Sequence, residues 1–134
     1  MTKQHPKRDD FVRAIDAIEG GYEFLLAYAA QGRHTDRDAG SQGPRQKLEA
    51  MAGALSELPA LARAMAASAG AEASSELDAF LDALARDAAV SISAIRLVLS
   101  MRDISSQIID NLNASIHLRA LLTDVFLIDE AFKS

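Results

Sequence analysis

Three histidines, His5, His34 and His117, are the side chains here best suited to act as base, metal ligand or phosphoacceptor. His34 lies in the segment HTDRD, where Asp36 and Asp38 could join it as ligands. Arg33 and Arg37 are interleaved with them, which makes a poor cation cage, and we expect no metal there. Glu19 and Glu23 stand one helical turn apart, a spacing that suits a cation but describes a solvated acidic edge better. The Glu-x-x-His pairs of a dimetal bundle do not occur. The chain has no cysteine, which excludes disulfides, thiol nucleophiles, Cys-ligated zinc and iron-sulfur clusters. Serines are plentiful, yet no G-x-S-x-G elbow activates one, and Gly40 and Gly43 lack both Walker and dinucleotide spacing. The expectation is a protein that is not an enzyme and uses neither cofactor nor metal.

His117, in NASIHLRALLTD, is the histidine expected on a helix, which raises phosphotransfer chemistry. Histidine phosphotransfer modules usually follow the phosphoacceptor with a lysine and then a small residue. Here Leu118, Arg119, Ala120 and Leu121 follow, so Arg119 could pair with phosphate while Leu121 fills space that a receiver domain would need. Phosphotransfer ranks third among the functional readings.

The segment GGYEFLLAYAA, residues 20–30, carries the strongest signal for binding. In a helix, Tyr22, Phe24, Leu25, Leu26 and Tyr28 point around most of the circumference, with Glu23 the one charge among them. Each large side chain left in water forfeits roughly 1.5 to 3 kcal/mol of burial, so surplus apolar faces call for a second chain or a ligand. Gly20 and Gly21 cost up to about 1 kcal/mol each in a helix interior and allow another backbone or a flat ligand to come close. The expected partner or ligand interface is therefore Gly20, Gly21, Tyr22, Phe24, Leu26 and Tyr28.

The elements that must position these residues are helical. Ala, Leu, Glu and Arg abound and no alternating strand pattern appears in the 134 residues. The expected fold is all-α, a single domain over 1–134 built as an up-and-down antiparallel bundle of four helices. The first helix starts at Asp9 or Asp10, after a flexible basic tail over 1–8. Its stripe is Phe11, Ile15, Ile18, Tyr22, Leu25 and Ala29, and Gly32 offers a left-handed stop. A polar, mobile loop covers 32–43. Pro44 opens the second helix, with Leu48, Met51, Leu55, Leu58, Ala62 and Met65 inward, a bend or division at Pro59, and an end between Ser68 and Gly70. Ser74 or Ser75 caps the third, carrying Leu77, Phe80, Leu81, Leu84, Ala88, Ile95 and Val98.

The third helix has two candidate ends. A turn at Arg102 and Asp103 gives helices of similar length. The polar face from Asp78 to Asp110 keeps helical spacing through that point, however, and favours one overlong helix to Asn111 with a break over 111–115. The last helix carries Leu118, Leu121, Val125, Ile128 and Phe132, with Phe126 and Leu127 widening its apolar surface into core or a groove for a partner's helix.

Lys and Arg number 14 against 19 Asp and Glu, a formal charge of -5 that disfavours nucleic acid. MTKQHPKRDD lacks the apolar run of a secretory signal and no stretch is long enough to span a membrane, so a cytoplasmic protein is expected. The leading reading is a small accessory or adaptor protein that self-associates as a homo-oligomer and offers an apolar helix face to a larger protein. The rival is a sensor or carrier whose small-molecule ligand sits between helices near Gly20 to Tyr28.

Overall fold

The computed structural model describes residues 6–68 and 75–133. The described residues form five α-helices and one 3-10 turn, with no strand among them. Helix α1 runs Pro6–Ala29, α2 Pro44–Ser68, α3 Ser75–Leu99, α4 Ser106–Ala114 and α5 Ile116–Lys133, and the 3-10 turn is Gly40–Gln42. Proline opens both α1 and α2, because the first helical position needs no amide donor and proline's φ is already helical. Helix α1 therefore begins ahead of the expected Asp9 or Asp10. The remainder of the expected tail, 1–5, lies outside the described residues, as do Ser74 and the rest of the connection over 69–74.

The apolar stripes bury as helical periodicity dictates. All six inward positions of α2, Leu48, Met51, Leu55, Leu58, Ala62 and Met65, are at most 3% exposed. Phe11, Ile15, Ile18 and Leu25 of α1 meet them in the same core, with Leu81, Leu84, Ala88, Ile95 and Val98 of α3 and Leu118, Leu121, Val125 and Ile128 of α5. The side chain of Phe132 is outside the described set. Helix α2 is not divided at Pro59 and continues through it to Ser68.

Helix α1 packs on α2 and α4, and α3 packs on α2 and α5. End-to-end contacts give the directions. Arg45, at the start of α2, bonds the carbonyl at the end of α3, while Arg63, late in α2, pairs with Asp78 and Asp82 early in α3. Arg8, at the start of α1, pairs with Asp129 near the end of α5 at 3.3 Å.

Both candidate breaks after Val98 are present, which makes five helices of the expected four. Helix α3 stops at Leu99, so the overlong helix to Asn111 is corrected, and α4 starts at Ser106 behind an N-cap at Ser105 whose hydroxyl accepts from Ile108 N. The second break falls at Ser115, whose amide closes onto the carbonyls of Asn111 and Leu112. It lets one return leg cover α1 with α4 and α3 with α5.

The adjacent glycines of α1 occupy opposite environments. Gly20 is exposed, and an added Cβ there would meet nothing within 4 Å. Gly21 is buried where α1 crosses α2, and a Cβ would drive into Cγ and Sδ of the fully buried Met51. Opposite signs are expected in denaturant unfolding. Gly20→Ala should stabilise by about 0.5 to 1 kcal/mol through helix propensity, whereas Gly21→Ala should destabilise by about 1 to 3 kcal/mol through overpacking. Equal effects at the two positions would refute the packing account.

Candidate functional site

The most highly organised polar region lies where the 30–43 loop meets the turn between α3 and α4. Tyr28, in the last turn of α1, is 2% exposed and its hydroxyl donates to Ile104 O at 2.5 Å. Ser106 Oγ donates to Tyr28 O at 2.6 Å and accepts from Arg33 N at 2.8 Å, while Ser106 N donates to Arg33 O at 2.9 Å. These bonds join the end of α1 to the start of α4. Gly32, at φ +67, supplies the expected left-handed stop that turns the chain into this contact.

Asp36 and Arg45 form the second half of the region. Asp36 Oδ1 accepts from Ile104 N at 2.9 Å and Oδ2 from Arg45 Nε at 3.2 Å. Arg45 then donates to Leu99 O at 2.9 Å and Met101 O at 3.1 Å, satisfying carbonyls that the end of α3 leaves without helical partners. Burial alone would raise the Asp36 carboxyl, but the Ile104 amide and the Arg45 guanidinium outweigh it and hold the pKa below the ordinary value. Thr35 Oγ1 and Arg37 Nε both reach Asp103 Oδ1, and Arg33 pairs with Asp38. Residues 33–38 of the 32–43 loop are thus bonded to the turn before α4, to Arg45 and to one another.

This arrangement redistributes the residues singled out from sequence. Tyr28 and Gly21 leave the expected surface patch, because the chain's own packing uses both. Phe24 is half-buried, stacked on Tyr28 with ring centroids 6.3 Å apart and with Lys47 Nζ 5.6 Å from its ring centre. Tyr22 is also half-buried against the core. Leu26 alone of the large apolar members stands in solvent, at 49% exposure, and Gly20 is also exposed. His34 is exposed and His117 is half-buried in the first turn of α5; His5 lies outside the described residues. Asp36 and Asp38 face different arginines instead of converging with His34, and among the described residues no group of three or more His, Asp or Glu is placed to hold a metal ion. Among those residues, too, no helix is long and apolar enough to cross a membrane.

Sequence reasoning missed Arg45 and the pairing of Asp87 with Asp124. Arg45 had no local signal, since the carbonyls it bonds, Leu99 and Met101, are more than fifty positions away. Asp87 on α3 meets Asp124 on α5, and Asp124 Oδ2 is buried with no hydrogen-bond donor from another residue. Burial, hydrogen bonding to Asp87 and the Asp87 charge raise the Asp124 carboxyl to about 7. The raised value keeps Asp124 partly protonated near neutral pH, which lessens the repulsion between the two carboxyls.

No family model, curated protein or solved structure matches the chain.

The carboxyl pair makes a signed prediction. A group whose folded pKa is raised gives stability that is complete below its unfolded pKa, about 4, and lost as pH rises through the folded value. Thermal unfolding should therefore show wild type losing stability from about pH 5 toward about pH 8. Asp124→Asn should flatten that dependence and melt higher than wild type at the alkaline end. A wild-type melting temperature that is constant or rises over the interval would contradict the raised Asp124 carboxyl.

Proposed function

We propose that the chain is a non-catalytic adaptor: an up-and-down helical bundle with a broken fourth leg that self-associates and docks on a larger protein in the cytoplasm. The observation behind this reading is the set of large apolar side chains left in solvent. Leu26 on α1, Val90 and Leu97 on α3, and Phe126 and Leu127 on α5 are 43 to 63% exposed, although the core beside them is well filled. Full burial of one such side chain is worth roughly 1.5 to 3 kcal/mol, so covering even part of this surface favours association. Tyr22, one turn from Leu26 on α1, adds an amphipathic ring of the kind enriched in interfaces.

Polar groups elsewhere are already committed to structure. Asp36, Tyr28, Ser106 and Arg45 hold the loop end together, which leaves them badly placed to serve as acid, base or nucleophile. The small-molecule reading has less support than the adaptor reading, because Gly21 is buried against Met51 and the buried Tyr28 hydroxyl is taken up by Ile104 O. Phosphotransfer continues to rest on His117 alone.

Leu26→Asp and the pair Phe126→Asp with Leu127→Asp test the proposal, since each removes exposed apolar surface without entering the core. Light scattering on a size-exclusion column should show wild type above the mass of one chain at high micromolar concentration. At least one variant should fall to a single chain with its helical circular dichroism unchanged. Wild type that stays a monomer at every concentration would sink the self-association claim.

A further inference from the structure

A cleft of about 450 Å³ opens beside the Asp36–Arg45 pair, between the loop and the turn after α3. Arg37, Arg45, Arg102, Gln46 and Gly40 line it, with Asp36 at its back. We propose that this cleft binds a small tetrahedral oxyanion, either free phosphate or the phosphomonoester end of a small metabolite.

Beyond the pairing of Arg37 with Asp103, the three guanidinium groups that line the cleft share one lining carboxylate, Asp36, in a chain whose formal charge is -5. That carboxylate is neutralised in place, because both Asp36 oxygens accept hydrogen bonds, one from the Ile104 amide and the other from Arg45. Arg45 has turned its donors toward Asp36 and the α3 carbonyls, so it supplies charge and a fixed wall. Arg37 commits Nε to Asp103 at 2.9 Å, and its side chain is 52% exposed, leaving the outer face of its fork for a ligand. The exposed Arg102 makes no described side-chain contact, and its guanidinium keeps all its donors. Two planar forks beside a third positive charge suit the oxygens of a tetrahedral dianion. Gly40, at φ +61, turns the loop at the mouth of the cleft. The space is within the range of small-ligand sites, and the overall negative charge works against a long polyanion such as nucleic acid.

The test is an amide NMR titration of the full chain with inorganic phosphate and, separately, glycerol 3-phosphate, at constant ionic strength set with chloride. Saturable shifts should concentrate at Arg37, Gly40, Gln46 and Arg102. Arg102→Ala should weaken binding about tenfold or more, in line with the loss of a charge-assisted hydrogen bond. Arg37→Ala should do likewise, while Arg86→Ala, on the exposed side of α3, leaves affinity unchanged. Equal affinity for the two probes identifies the free oxyanion as sufficient; tighter binding of the ester identifies a phosphorylated small molecule. Absence of saturable shifts at the cleft, or binding indifferent to Arg102→Ala, would overturn the proposal. Neither result bears on the exposed apolar side chains, so this site and the adaptor reading stand or fall separately.

Discussion

The contact between Asp36 and Arg45 fixes where the chain turns. Asp36 has a side chain only 8% exposed and would be costly as an isolated charge, yet one of its oxygens is held by an amide and the other by a guanidinium. Arg45 carries the constraint onward to the carbonyls of Leu99 and Met101. One ion pair thereby satisfies the end of α3, orients Ile104 for the Tyr28 hydroxyl and sets the starting point of α4. Such a pair adds little net stability compared with a well-packed apolar substitute, but losing Arg45 leaves the buried Asp36 charge without its counter-ion. Its main physical consequence is specificity of the turn.

The turn determines how the remaining surfaces are used. With α4 held against the end of α1, the rest of the return leg is free to shift at Ser115 and lay α5 along α3. That second break brings Asp124 to Asp87, and it leaves Phe126 and Leu127 facing outward while Leu121, Val125 and Ile128 fill the core. The same contact closes one side of the arginine-lined cleft. The exposed apolar side chains of α5 and the arginine-lined cleft thus follow from one choice of chain path, though they occupy different parts of the molecule.

Much of the helical framework was legible in the sequence, because the burial of Leu48, Met51, Leu55 and Leu58 depends on periodicity that any helix imposes. The stop at Leu99 was not. No glycine or proline marks it, the polar face continues in register beyond it, and the groups that end α3 come from Asp36 and Arg45, far away in the chain. The oily segment of α1 was legible as unusual but not in its use. Its sequence shows a wide apolar circumference, whereas only the three-dimensional neighbours reveal that Met51 needs the space at Gly21, that Tyr28 reaches Ile104 and that Lys47 lies over Phe24. Of the residues expected at an interface, Leu26 and Gly20 are exposed and Tyr22 is half-buried.

Amide hydrogen exchange at Ile104 and Ser106, compared between wild type and Arg45→Ala, tests the clamp most directly. Removing the guanidinium should loosen Asp36 and accelerate exchange at both amides about tenfold or more, the equivalent of one charge-assisted hydrogen bond, while core amides such as Leu55 and Leu58 slow or hold relative to them. Unchanged exchange at Ile104 in the variant would contradict the claim that Asp36 and Arg45 together hold the turn.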